Sequence, residues 1–536
     1  MQASEISHTE LILLLLLLLV AALAAVAKRL NIAYPIVLVL GGLGLSILPR
    51  VPQVSLDPNI VFLVFLPPLL FSAAFHISWR DFRNNLVTIL MLAFGLVGFT
   101  MYAVAGATRW MLPGFDWKLG LVLGAVVAAT DAIAATATAK RLGLPRGITD
   151  VLEAESLVND GSGLVALKFT LAIVVTGVTP SLSYGVGLLF YLISMGVVIG
   201  LTVGILVHWI QRRIADAPIE ITISLITPYI AYLAAETAQC SGVLATLACG
   251  VYLGRRSSGF YSLHARIESS AVWRTLDFIL NGLVFLLLGL QLPSILSQIR
   301  GLSLTNLVID GALFSLLLIV VRLLWVFPGA WISAQIRQRL LLGPREPLSP
   351  KSTFLVGWSG MRGVLALAAA ISLPEKLKNG APFPERSLII FLTFCGIFAT
   401  LVIQGLTLPA IIRGLGYAGA AASHDEEDWA RRQMVAAALK TLRRIRKEGE
   451  HEKSDVYDQL ERYYRRRLAL LEDSPSESEF TKNHSEHHRF LAQQLRDVER
   501  STALKLRDEN RIHDEVLRAL ERDLDLLDAH FAGAEY

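Results

Sequence analysis

About thirteen apolar stretches, most of them near the 20 residues that a helix needs to cross a hydrocarbon core of roughly 30 Å, dominate this 536-residue chain. Read against their breakers, they cover residues 10–27, 33–49, 58–77, 85–108, 117–139, 151–176, 183–210, 218–238, 242–254, 271–292, 304–336, 352–373 and 387–412. A chain patterned this way is expected to be an all-α polytopic membrane protein, and its 54% hydrophobic composition excludes an ordinary soluble domain. The first run is not read as a secretion signal. No Lys or Arg precedes it and Lys28 and Arg29 follow it, the reverse of the secretory pattern. Cys240, Cys249 and Cys395 all lie in apolar stretches and read as small core residues, with no disulfide framework.

The basic residues between these stretches predict sidedness. One alternate set of loops carries Lys28, Arg29, Arg80, Arg83, Lys140, Arg141, Arg146, Arg212, Arg213, Arg255, Arg256, Arg266, Arg274, Arg337, Arg339, Arg345 and Lys351, seventeen in all. The other carries seven: Arg50, Arg109, Lys118, Arg300, Lys376, Lys378 and Arg386. A miscounted span would have scrambled this contrast. The expectation is an N-terminus outside, a C-terminus in the cytoplasm, and location in the cell (inner) membrane.

Against this apolar background a few polar residues stand out. Ionisable groups at membrane depth cost roughly 3 kcal/mol or more each, and chains that keep them usually use them to handle ions or protons. The segment Glu155-Ser-Leu-Val-Asn-Asp160 sits in a stretch that is otherwise mainly apolar from Val151 to Val178. On a helix Ser156 and Asp160 share one face at i,i+4, and Glu155 and Asn159 share the neighbouring face. These are oxygen ligands suited to a hard monovalent cation such as sodium. A purely structural polar cluster between helices is the alternative reading.

Two runs are interrupted, the fifth at Thr130-Asp131-Ala-Ile-Ala134 and the twelfth at Gly357-Trp-Ser-Gly-Met-Arg-Gly363. If helices one to six and eight to thirteen form two inverted halves around the seventh, both interruptions fall in the fifth helix of their half. Matched interruptions of this kind point to a transporter binding site. Buried charges also need partners. Asp131, Glu155, Asp160 and Asp310 are the intramembrane acids, with Glu236 near an outer end, and Lys168, Arg322 and Arg362 are the bases. Arg322 cannot shed its charge, so a carboxylate is expected to meet it, and Glu155 is the choice. That leaves Asp160 without a permanent counter-ion, where proton and cation binding compete. Asp131 is expected to support the half-helix ends or lend an oxygen to the ion. Lys168, two turns beyond Asp160, is expected to snorkel outward.

Four motifs, Phe65-Leu-Pro-Pro-Leu-Leu-Phe71, Ala129-Thr-Asp-Ala-Ile-Ala134, Glu155-Ser-Leu-Val-Asn-Asp160 and Gly357-Trp-Ser-Gly-Met-Arg-Gly363, stand in order on these spans. Together they resemble the NhaP/NHE-type sodium/proton antiporters of the monovalent cation:proton antiporter superfamily, over roughly residues 10–413. The resemblance implies two inverted six-helix repeats crossing at two unwound helices, and a homodimer in the lipid bilayer. It also implies exchange of sodium, or lithium or potassium, for protons, with no cofactor, no enzymatic activity and no nucleic-acid partner. By the same resemblance Asp160, next to Asn159, is the ion-binding and proton-carrying aspartate. Thr130, Asp131 and Ser156 complete the coordination sphere of the monovalent cation, Glu155 and Arg322 form a structural ion pair, and Arg362 supports the crossing. Two departures stand out: Ser72 where the family's motif often has an acid, and Ala132 where it usually has Pro. With Glu155 neutralised and Ser72 supplying no carboxylate, only Asp160 is expected to change occupancy, so exchange is expected to be electroneutral.

Residues 1–413 are therefore read as a transmembrane antiporter domain and 414–536 as a cytoplasmic helical domain. In the latter, Val456, Leu460, Tyr464 and Leu468 recur at helical spacing, as do Ile512, Val516, Leu520, Leu524 and Leu527. His484, His487 and His488 are candidates for pH sensing. Other functions compete with exchange. Asp131 and Asp160 superficially match the paired membrane aspartates of an intramembrane protease but lack the Tyr-Asp and Gly-x-Gly-Asp contexts. A passive cation channel would want a selectivity-filter repeat. Organic-anion transport on a related fold would want a basic group free at the crossing.

Overall fold

The computed structural model describes residues 2–48, 57–112, 114–177, 182–214, 216–299, 303–339, 349–377, 380–417, 425–448 and 454–469, with isolated positions at 499, 502, 505 and 509. The three tail histidines and the expected helical face of residues 512–527 lie outside these residues. The chain divides into two compact units, Met1–Ala422 and Ser423–Tyr536.

The first unit is helical throughout its described residues apart from short connections. In chain order its helices are α1 (Gln2–Leu30), α2 (Tyr34–Ser46), α3 (Pro58–His76), α4 (Trp79–Met111) and α5, split into α5a (Trp117–Ala128) and α5b (Ile133–Arg141). They continue with α6 (Arg146–Thr176), α7 (Leu182–Gln211), α8 (Ala217–Thr237), α9 (Gly242–Arg256) and α10 (Leu263–Leu290, extended by Leu292–Gln298). The last are α11 (Leu304–Arg339), α12, split into α12a (Pro350–Trp358) and α12b (Val364–Ile371), and α13 (Arg386–Gly414). Every apolar stretch expected from the sequence thus coincides with a helix. Among the described residues, ten helices are long and apolar enough to cross a membrane, whereas α2 is shorter, with 13 residues. Helices satisfy their backbone groups internally, which hydrocarbon demands.

Polar residues at the loop ends set where several helices start. Asp116, Asp216, Ser78, Ser241 and Ser262 each accept a hydrogen bond from a backbone N–H of the first turn they precede. Gly177, with φ +71°, ends α6 in the left-handed conformation that favours glycine. Where α2 crosses α10, a Cβ on Gly42 would lie 2.4 Å from the Leu286 carbonyl and one on Gly289 2.3 Å from that of Val39. Only hydrogen there lets the two backbones touch, and in lipid such contact takes the place of a hydrophobic drive between helices.

Burial separates the helices into an inner and an outer set. Of the apolar window in α5, 83% is buried, against 11% in α1, whose Leu14 and Leu18 are 64% and 67% exposed. The first value puts α5 in the middle of the bundle; the second gives α1 a face for lipid. Three helices carry a π-turn, at Val61–Phe65 in α3, Met91–Gly95 in α4 and Thr400–Gln404 in α13. A π-turn loosens the backbone ladder, and neighbours take up its groups. Trp325 Nε1 donates to the Met91 carbonyl at 3.1 Å and Ser162 Oγ to that of Ala93 at 2.5 Å.

In the second unit α14 (Asp425–Glu448) and α15 (Ser454–Ala469) pack together. Val435 and Leu439 are buried, and Glu461 meets Arg443 at 3.0 Å, Arg446 at 3.2 Å and Arg465 at 2.7 Å. The Arg443 hydrogen bond, with the charges of Arg465 and Arg446, holds the Glu461 carboxyl below the usual carboxylate range. Leu460, one of the residues recurring at helical spacing, is 42% exposed.

Candidate functional site

Both broken helices are interrupted at the same depth, and each break is built from the sequence around it. Helix α5a stops at Ala128, residues 129–132 run without helical structure, and α5b starts at Ile133. Helix α12a stops at Trp358 and α12b starts at Val364, after the extended Gly363. The two breaks touch where the Asp131 N–H donates to the Met361 carbonyl at 2.8 Å. A Cβ on Gly363 would lie 2.5 Å from that of Asp131, so glycine is what allows the crossing to be this close.

A broken helix exposes carbonyls at one end and N–H groups at the other, and each end carries partial charge. Two arginines answer the carbonyl ends. Arg322 Nε and Nη2 donate to the carbonyls of Gly357 and Val356 at 3.0 and 3.1 Å, in the last turn of α12a. Arg362 Nη1 donates to the carbonyl of Ala128 at 2.6 Å, the end of α5a, and to that of Ala129 at 3.3 Å. The N–H end of α5b is met by Asp131, which also lies beside the start of α12b. Its Oδ1 accepts from Ile133 N at 2.8 Å at the start of α5b, and its Oδ2 would stand 2.7 Å from a Cβ on Gly363 at the start of α12b.

Arg322 and Glu155 are 1% exposed and form a two-pronged pair, Nη1 to Oε1 at 2.6 Å and Nη2 to Oε2 at 2.9 Å. Planar guanidinium and carboxylate match in this geometry, which a lysine could not reproduce. Thr130 Oγ1 donates to Glu155 Oε1 at 3.2 Å and accepts from Asn159 Nδ2 at 2.6 Å. Thr130 and Asn159 are therefore tied to the ion pair. Ser156 Oγ accepts from Ala132 N at 3.3 Å and so holds the break of α5 against α6. Asp160 differs from all of these: among the described residues it has no hydrogen-bond or salt-bridge partner.

Asp160, Asp131, Thr130 and Ser156 line a cavity of about 540 Å³. Its mouth carries Lys140 and Glu153, paired at 2.7 Å with side chains 66% and 36% exposed, together with the exposed Arg274. Seven residues of α6 separate Glu153 from Asp160, about 10 Å along the axis at the rise of an α-helix. Neither Arg322 nor Arg362 lines this cavity. Lys168 does point outward as expected, and there its Nζ meets both Glu236 oxygens at 3.1 Å.

One group at the cavity escaped the reading from sequence. Asp277 on α10 lines it, and Ser72 Oγ donates to Asp277 Oδ2 at 2.5 Å. Ser72 is expected to leave no further carboxylate near the ion, yet an acid stands against it, supplied by another helix. The available signal was an aspartate inside the apolar run 271–292, the same cost argument that singled out Asp160. Glu220 was missed likewise. It is buried on α8, where its Oε2 accepts from Ser262 N at 3.1 Å, away from the cavity.

Two interrupted helices crossing in a membrane bundle, beside an unpartnered carboxylate at the end of a cavity, define a secondary transporter. The family described as sodium/hydrogen exchanger, transmembrane, matches residues 14–414, and the chain belongs to that family. An uncharacterised Na+/H+ exchanger of Mycobacterium tuberculosis is 33% identical over 506 residues, 93% of this chain and 92% of its own. A Bacillus subtilis protein named sodium, potassium, lithium and rubidium/H+ antiporter is 33% identical over 77% of this chain and 62% of its own. The sodium proton antiporter MjNhaP1 from Methanocaldococcus jannaschii at pH 8 shares the fold, with a TM-score of 0.58 at 20% identity, over 76% of this chain and 98% of that one.

Proposed function

We propose that this sodium/hydrogen exchanger works by alternate loading of Asp160 with a cation and with a proton. One observation carries the reading. At the depth of the crossing Glu155 is neutralised by Arg322 and Asp131 lies beside two helix N-termini, while Asp160 opens on the cavity with no partner among the described residues. A carboxylate in that position holds a proton or a hard cation, and holding one excludes the other. Asp131 and the hydroxyls of Thr130 and Ser156 are the oxygens within the same cavity wall that would complete the coordination of sodium. Asn159 acts indirectly, holding Thr130 in place.

In this reading α1–α6 and α8–α13 are two halves inverted about α7, and alternating access moves the crossing between the two faces. The mouth with Lys140 and Arg274 belongs to the basic set of loops, so the cavity opens to the cytoplasm, the N-terminus lies outside and the tail lies inside. The protein would function in the cell membrane as a homodimer, with residues 414–536 as a cytoplasmic regulatory part. The cavity wall disfavours organic anions, since it presents Asp131, Asp160 and Asp277 and neither crossing arginine. Potassium is the nearer rival to sodium, in view of the Bacillus relative's name.

The test is sodium-dependent proton movement in proteoliposomes. Asp160→Asn keeps the shape and removes the exchangeable charge, so flux should fall to the protein-free background while the purified variant elutes and melts as the parent does. Substantial proton-coupled sodium flux in that variant would remove Asp160 from the role.

A further inference from the structure

Besides Asp131, Asp160 and Glu153 at its mouth, the cavity that reaches Asp160 holds a further carboxylate, Asp277. On α10, Arg274, Asp277 and Asn281 line it in succession, and on α3, His76 and Ser72 do the same. Arg274 and His76 lie toward the mouth, so Asp277 and Ser72 are one turn further in, about 5 Å along each helix. Asp131 and Asp160 line the same cavity.

Asp277 is also available. Ser72 Oγ occupies its Oδ2, whereas its Oδ1 is shielded from solvent with no hydrogen-bond partner, and no salt bridge joins it among the described residues. The neighbouring basic side chains also hold backbone carbonyls. Arg274 Nε donates to the Ser270 carbonyl at 3.2 Å, and the His76 ring nitrogen bonds the Ser72 carbonyl at 2.8 Å. At the mouth Lys140 and Glu153 balance each other. Asn281, one turn deeper on the same face, adds an amide oxygen to the wall.

We propose that Asp277, oriented by Ser72, is a cation-capture station in the vestibule, which takes a monovalent cation from the cytoplasmic side before it moves on to Asp160. The Ser72 hydroxyl fixes one carboxylate oxygen and leaves the other without a hydrogen bond, in keeping with the preference of hard cations for oxygen. A fixed negative charge inside a narrow low-dielectric cleft raises the local cation concentration, so its effect falls on affinity more than on turnover. Here α10 supplies a charge against the α3 position where Ser72 stands.

The inference rests on the exchange reading above, and the experiment separates the two. Sodium-dependent proton movement is measured in proteoliposomes for the parent, Asp160→Asn, Asp277→Asn and the exchanged pair Ser72→Asp with Asp277→Ser. Loss of flux in Asp160→Asn tests exchange itself. Asp277→Asn, which can still accept from Ser72, should raise the KM for sodium by about tenfold, with a smaller change in maximal rate. The exchanged pair returns a carboxylate to the same contact from α3 and should bring KM back to within about twofold of the parent. An unchanged KM in Asp277→Asn overturns the proposal, as does an exchanged pair that folds and transports but keeps the raised KM. If Asp277→Asn does not fold, the exchanged pair alone decides, since its KM either matches the parent or does not.

Discussion

Replacing Gly360 with alanine would put one methyl group where there is no room for it. Its Cβ would lie 1.8 Å from Arg322 Nε, 2.1 Å from Cδ and 2.3 Å from Cζ, all far inside contact distance. A flexible arginine would swing away, but this one is held by four hydrogen bonds, to both Glu155 oxygens and to the carbonyls of Val356 and Gly357. Displacing it half-breaks a buried ion pair, at a cost of about 3–5 kcal/mol. Gly360 has no positive φ, so alanine tolerates its backbone and recovers about 0.4–1 kcal/mol from the unfolded chain. The net loss is then about 2–4 kcal/mol, which lowers an apparent Tm in detergent by on the order of 2–5 °C for a unit of this size. The decisive comparison is the cycle with Arg322→Ala. That change alone strands Glu155 and is itself destabilising, but it removes the atoms that the methyl group meets. Gly360→Ala should therefore add less than about 0.5 kcal/mol in the Arg322→Ala background. A parent-like Tm for Gly360→Ala, or a full cost that persists without Arg322, would refute the packing argument.

Exchange should be one sodium for one proton, because Asp160 is the group that alternates while Glu155 stays paired. Moving net charge would couple transport to voltage at about 2.3 kcal/mol per 100 mV, so proteoliposomes held at zero and at negative potential with potassium and valinomycin should give equal sodium-dependent pH changes. A rate or end-point that follows the potential would show that a second carboxylate, Asp131 or Asp277, changes occupancy too. In the tail, the Glu461 carboxyl lies below its unfolded value, so its contribution is present above that value and lost as pH falls through the folded one. Hydrogen exchange on the full chain should show α14 and α15 opening more readily in acid, and Glu461→Gln should abolish that difference.

How far the chain could be read from its residues depends on the distance over which each feature acts. The number and position of the helical stretches were legible because hydrocarbon thickness and backbone satisfaction act on each run of about 20 residues by itself. The two breaks were legible too, since Thr130-Asp131 and Gly357 to Gly363 are polar or glycine-rich where their surroundings are apolar. A fixed charge in an apolar run must find a partner, which is why Arg322 and Glu155 could be matched across 167 positions before any coordinate was known.

Other features depended on which helices touch. That Arg362 covers the end of α5a, that Gly360 is the cradle of Arg322, and that Thr130 bridges Asn159 to Glu155 are facts of packing, invisible in spacing along one helix. Asp277 shows the difference best. Position 72 carries a serine and no acid, yet the packing of α10 against α3 brings a carboxylate to that place all the same. A site in a helical bundle is a set of points in space, and any helix that passes one of those points can supply the charge.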